Sequence, residues 1–278
     1  MHFDQISAEP GLNVPSENPC RLLSFAKLSI TPGEQYEGNT GGREALLVTL
    51  RGEATVRACG VEFAEVGGRR SVFDGKPHAV YLPPECAYEV SVAGRDGPFE
   101  AGVPMAVAED GSAPFLIGPE DVRSSKRGIS NFTYEDREIL VRGQPHGRRV
   151  SRLIVGETYT PSGNWSGYPP HRHEADDPPN EAAMEEINYY RVSPEDGWGL
   201  AKHYTDAGDI DSVHTVRDDS VLMIPRGYHT VVSAPGCVTY YLWFLAGETR
   251  TQAARLDPRS QWVSRAIPMI QNAKENLR

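Results

Sequence analysis

The chain has 278 residues, 39% hydrophobic and 24% charged, with a formal net charge of −10. This length holds one large domain or two of roughly 100–150 residues, the composition is that of a globular chain rather than a disordered one, and the lack of any Lys/Arg-rich run argues against nucleic acid as a partner. No run of about 18 apolar residues marks a membrane span, the first twenty residues carry no charged-then-apolar targeting pattern, and the four cysteines, at 20, 59, 86 and 237, form no C-x-x-C pair. The expectation is a cytoplasmic protein with neither a disulfide framework nor a zinc finger.

Short apolar runs separated by Gly and Pro fill the first half. Ala45–Leu50 (ALLVTL) lies between Gly41-Gly42 and Gly52, and Glu53–Arg57 continues it. Val61–Val66 follows Cys59-Gly60, His78–Leu82 is closed by Pro83-Pro84, and Tyr88–Val92 alternates. Strands this short and this regularly spaced predict a β-sandwich or barrel. Residues 118–147 are polar and rich in Arg, Ser and Gly, and read as a connecting segment with the length to wrap one barrel.

Beyond it the pattern repeats, with strands expected at Arg152–Tyr159, Glu186–Val192, Gly199–Tyr204, His214–Val216, Val221–Ile224, His229–Ser233 and Val238–Leu245. The tail after Gly247 is mixed and is expected to pack back on its domain. Both halves contain a strand, a proline turn and a strand: GKPHAVYLPPECAYEV in the first, SVLMIPRGYHTVVSA in the second. The whole therefore reads as all-β, a duplicated barrel divided near residue 130, with residues 1–130 lacking the histidines that cluster in 131–278.

His171-Arg172-His173 is an H-x-H pair. On a strand, side chains two apart share a face, so the two imidazoles stand about 7 Å apart on one side with Arg172 on the other. Alone such a pair is weak, because surface histidines are common. Here Gly167 and two prolines precede it, Glu186 opens the next strand, and Pro225-Arg226-Gly227-Tyr228-His229 ends a turn on a further histidine. Three imidazoles and one carboxylate suit a divalent metal, zinc foremost, with manganese, iron or nickel as alternatives.

Other residues carry weaker signals. The acidic, proline-rich stretch 174–185 is a solvated loop or a lid over the metal, with Glu181 a candidate base. Arg226, at the turn before His229, is a candidate for a substrate carboxylate, and Lys202 and Arg152 are further ones. Tyr189-Tyr190 and Tyr240-Tyr241 each put one ring on either face of a strand. Tyr190, on the face of Glu186, is the candidate phenol in the pocket.

The order H-x-H, Glu, P-x-G-x-H resembles the two cupin motifs. More narrowly, YPPHRHEADDPPNEAAMEEINYYR, VLMIPRGYH and YYLWFLAG, with SVFDGKPHAVYLPP in the first half, resemble the 5-deoxyglucuronate isomerase family of bacterial myo-inositol catabolism, itself related to 4-deoxy-L-threo-5-hexosulose-uronate ketol-isomerase. The resemblance covers nearly the whole chain. It implies a bicupin fold and metal ligation by His171, His173, Glu186 and His229, with Glu186 preferred to Glu185 because it directly precedes the aromatic strand. It also implies aldose–ketose isomerisation of 5-deoxy-D-glucuronate. Where the family usually has tyrosine this chain has Asn188, on the inward face with Glu186, so the pocket differs there. The same ligand set would serve an Fe(II)-dependent cupin dioxygenase, or a sugar-binding regulatory cupin without turnover. A small acidic sugar is the expected partner, and a homo-oligomer stays open.

Overall fold

The computed structural model describes residues 2–94, 97–143 and 148–275. All 21 strands among the described residues fall in three sheets. In the first half a 16-residue strand, Arg43–Ala58, runs through the whole barrel, pairing early with Ala79–Leu82 and Phe99–Val107 and late with Val61–Arg69 and Ala87–Ser91. Gly52 makes the corner in this strand: its φ is +78°, and a Cβ there would lie 2.4 Å from the Pro98 carbonyl oxygen. The interior is Leu28, Leu47, Val56, Val66, Val80, Val90 and Phe99. A single bridge, Cys59–Cys86, ties two loops of this half.

In the second half a seven-stranded sheet faces a five-stranded one. The first runs, in spatial order, Phe3–Gln5, Ser220–Ile224, Met184–Ser193, Val238–Gly247, Ile154–Thr160, Tyr134–Leu140 and Arg123–Arg127. The second runs Asp211–Val216, Gly199–Tyr204, Tyr228–Ser233, Trp165–Arg172 and Arg255–Leu256. This is the architecture of two cupin-type barrels.

The segment 118–147 connects the halves but is also part of a sheet. It supplies two strands of the seven-stranded sheet, Arg123–Arg127 and Tyr134–Leu140, paired with each other, and residue 130 lies in the turn between them; its residues 144–147 lie outside the described ones. The N-terminal strand Phe3–Gln5 also joins that sheet, against Ser220–Leu222.

Alternation along the central strands of this sheet separates two cores. Ile187, Tyr189, Tyr240, Leu242 and Phe244 face the first half, where Phe25 stacks on Phe244 and Leu46, Val48 and Leu50 complete the packing. Tyr190, Tyr241, Trp243 and Leu245 face into the second barrel. The tail contributes the edge strand Arg255–Leu256, against His171 and Arg172, and the helix Trp262–Glu275, whose Val263 packs with Ile129 and Phe132. No helix among the described residues is long and apolar enough to cross a membrane.

Candidate metal centre

The two sheets of the second barrel enclose a cavity of about 300 Å³. His171, His173, Glu186 and His229 converge in its wall, with one ligand atom from each lying within 4.8 Å of all the others. His171 and His229 are direct cross-strand partners, and their rings meet edge to face at 4.4 Å between centroids. Such partners share a face, so the ladder itself brings the two imidazoles together. Gly167 makes room for this: its φ is +58°, and a Cβ there would sit 3.2 Å from His171 Cε1. His173 follows the strand end, and its main chain is tied to Met184 by a 2.8 Å bond. That tie carries the chain back into the strand bearing Glu186.

The electrostatics favour ligation. Burial, with His229 alongside, pushes His171 down to about 3, so its ring is neutral with a lone pair free at neutral pH. Burial would raise Glu186, but the neighbouring His229 and His173 carry it well below the usual carboxylate range, and it is ionised. Burial opposes a charge on His173, yet its hydrogen bond to Glu186 prevails and raises its pKa. His173 Nδ1 donates to the Met184 carbonyl at 2.7 Å, which aims Nε2 at the cluster. His229 Nε2 is buried and makes no hydrogen bond, although Glu186 Oε2 is 3.2 Å away. An orphaned buried nitrogen beside an ionised carboxylate and two further imidazoles fits a divalent cation. The cluster could hold a metal.

A profile of the KduI/IolB family matches residues 6–263. The chain belongs to that family. Among its curated relatives, the 5-deoxy-glucuronate isomerase of Geobacillus thermodenitrificans is 34% identical over 250 residues, 90% of this chain and 89% of the relative. The Bacillus subtilis (strain 168) protein of the same name is 32% identical, covering 89% and 90% respectively. An IolB-like protein from Salmonella typhimurium LT2 superposes with a TM-score of 0.87 at 28% identity, covering 95% of this chain and 99% of that one. Oxalate decarboxylase from Lactobacillus farciminis shares the fold alone, with a TM-score of 0.65 at 10% identity over 99% of this chain and 94% of its own.

Within this KduI/IolB chain the other candidate residues lie elsewhere than expected. Glu181 is fully buried but does not line the cavity: its carboxylate accepts the Glu174 and Ala175 amides at 2.9 and 3.1 Å and pairs with Arg172 at 3.2 Å and Arg255 at 2.9 Å. It clamps the 174–183 loop and is not placed to act as a base. Arg226 is half exposed and paired with Asp209, Lys202 reaches Asp211 at 3.0 Å, and Arg152 reaches Glu248 at 2.6 Å; none of the three lines the cavity. In each case an acidic neighbour draws the cation outward. Tyr190 is fully buried against Tyr241 and sits in the barrel core instead of the cavity wall. Glu185 points to the first half, where its carboxylate accepts the amides of Arg21, Leu22 and Leu23.

The cavity lining also includes residues that no sequence pattern marks, among them Arg127, Asp136, Glu138, Thr158 and Trp243, with Gln252, Ala253 and Ala254 from the tail. Asn188 also lines it, and its side-chain oxygen is buried with no hydrogen-bond partner.

Proposed function

We propose that this chain is a metal-dependent 5-deoxy-glucuronate isomerase acting in the cytoplasm. It interconverts the aldose 5-deoxy-D-glucuronate with the ketose 5-dehydro-2-deoxy-D-gluconate, using one divalent ion, zinc foremost, on His171, His173, Glu186 and His229. The observation that carries this reading is the convergence of those four side chains in one cavity of a chain whose relatives bear that name. An ion held there would polarise the substrate carbonyl and favour the developing oxyanion.

The chain's own residues do the rest. The depressed pKa values of His171 and Glu186 keep both ready to ligate at neutral pH. Asn188 lines the cavity, and its unpaired side-chain oxygen would accept from a substrate hydroxyl that reaches it. Met184, Val231, Trp243 and Leu245 give the cavity its apolar wall, which limits water around the reacting carbons. The hydrogen and electron pair redistribute between C1 and C2, so no oxidant is consumed.

The test separates this from an oxygenase on the same ligands. Metal-loaded protein is expected to turn over 5-deoxy-glucuronate under nitrogen at the rate seen in air, with the product read by NMR and no oxygen uptake. A strict oxygen requirement would exclude isomerisation.

A further inference from the structure

We propose that Arg127 receives the carboxylate of the substrate, so that the sugar acid lies with its carbonyl end at the histidine cluster and its acid end against this guanidinium. This rests on the isomerase reading and assigns the end of the substrate that the metal ligands leave unrecognised. Arg127 is the one Arg or Lys among the described residues lining the cavity, whose acidic members include Asp136, Glu138 and Glu186. A cavity with that lining repels a carboxylate unless a local cation reverses the field.

Contacts bring the guanidinium in from its edge strand. Trp243 lies in the strand beside Glu186's and is cross-strand from Asn188, two residues along that face from Glu186. Its Nε1 donates to Asp136 Oδ1 at 3.2 Å, and Thr158 Oγ1 donates to the same oxygen at 3.1 Å. The other Asp136 oxygen pairs with Arg127 Nε at 2.9 Å. Asp136 is therefore fixed from two sides and holds the guanidinium by its Nε edge. Nη2 donates to Glu138 at 3.3 Å, and among the described residues Nη1 donates no hydrogen bond. The side chain is 47% exposed and lines the cavity, so the guanidinium is within reach of a ligand entering there. Two N–H groups in one plane match a carboxylate fork.

The experiment uses the metal-loaded full chain, as wild type, Arg127→Met and Arg127→Lys. Each is assayed with the sugar acid and with the uncharged sugar carrying a hydroxymethyl group in place of the carboxylate, and binding of both is measured by calorimetry. Arg127→Met is expected to raise KM and the dissociation constant for the acid by about 10- to 100-fold while kcat stays within a few-fold. The uncharged sugar should be little affected, metal content should be unchanged, and Arg127→Lys should recover part of the loss. Equal losses on both sugars, or unchanged affinity for the acid in Arg127→Met at full metal content, would overturn the inference, as would failure of the wild type to bind the acid at all. Arg127-dependent binding of the acid without turnover supports the assignment and removes the isomerase reading alone.

Discussion

His173 presents both ring nitrogens to acceptors, Nδ1 to the Met184 carbonyl at 2.7 Å and Nε2 to Glu186 at 2.8 Å, so in this arrangement the ring holds two protons. Its pKa is raised, whereas His171 is pushed down to about 3 and Glu186 well below its usual range. Of these three, His173 is the group a metal must strip of a proton. Below the His173 pKa, this ring should contribute about one proton to those released on metal binding, and apparent affinity should fall as pH drops. Above it the His173 contribution should vanish. Chelator competition across pH, with calorimetry in buffers of different ionisation enthalpy, reads this; a flat affinity from pH 5 to 8 would contradict it. The histidines could be picked out from sequence because strand alternation acts locally. Arg127 could not, because RSSKR is polar at every position and exposed throughout, so it shows no alternation. The outward turn of Arg226, Lys202 and Arg152 depends on Asp209, Asp211 and Glu248, residues close to them only in space or through turns no local pattern reports.

At the scale of elements, the strand Met184–Ser193 does two jobs by having two faces. Glu186 and Asn188 point into the second barrel, while Glu185, Ile187 and Tyr189 point to the first half. Glu186→Gln is expected to weaken metal binding by more than the roughly 10–100-fold typical of losing an outer-shell partner, with the β-sheet circular dichroism retained. Glu185→Gln should leave metal content unchanged but lower stability by about 1–3 kcal/mol, since one of the two oxygens that together accept three amides becomes an NH2 donor. Metal analysis and urea melts of the two variants check the pair, and metal loss from Glu185→Gln alone would reverse the assignment. Most strands were legible because apolar runs end at Gly or Pro turns. The helix Trp262–Glu275 was not: Pro268 stands inside it, and an internal proline reads as a breaker.

The two halves are joined as one molecule by more than a linker. Residues of both form a continuous core that includes Phe25, Leu46 and Val48 from the first and Tyr189, Leu242 and Phe244 from the second. Buried charges cross the same junction. Lys27 reaches Asp219 at 2.8 Å, and Arg69 grips Glu157 through two nitrogens at 3.2 and 2.9 Å. Arg69 and Glu157 are both almost wholly inaccessible, so neither can fall back on water if the other is removed. Arg69→Met should therefore destabilise the protein by about 3–5 kcal/mol, whereas pairing it with Glu157→Leu should restore much of that loss. All four tryptophans, Trp165, Trp198, Trp243 and Trp262, lie in the second half, so their fluorescence reports that half alone, while far-UV circular dichroism reports both. If the shared core makes unfolding a single event, a substitution at Arg69 in the first half moves the tryptophan transition and the circular dichroism transition together. Should the fluorescence midpoint stay at its wild-type urea concentration while the circular dichroism curve splits in two, the halves unfold independently and the junction does not couple them.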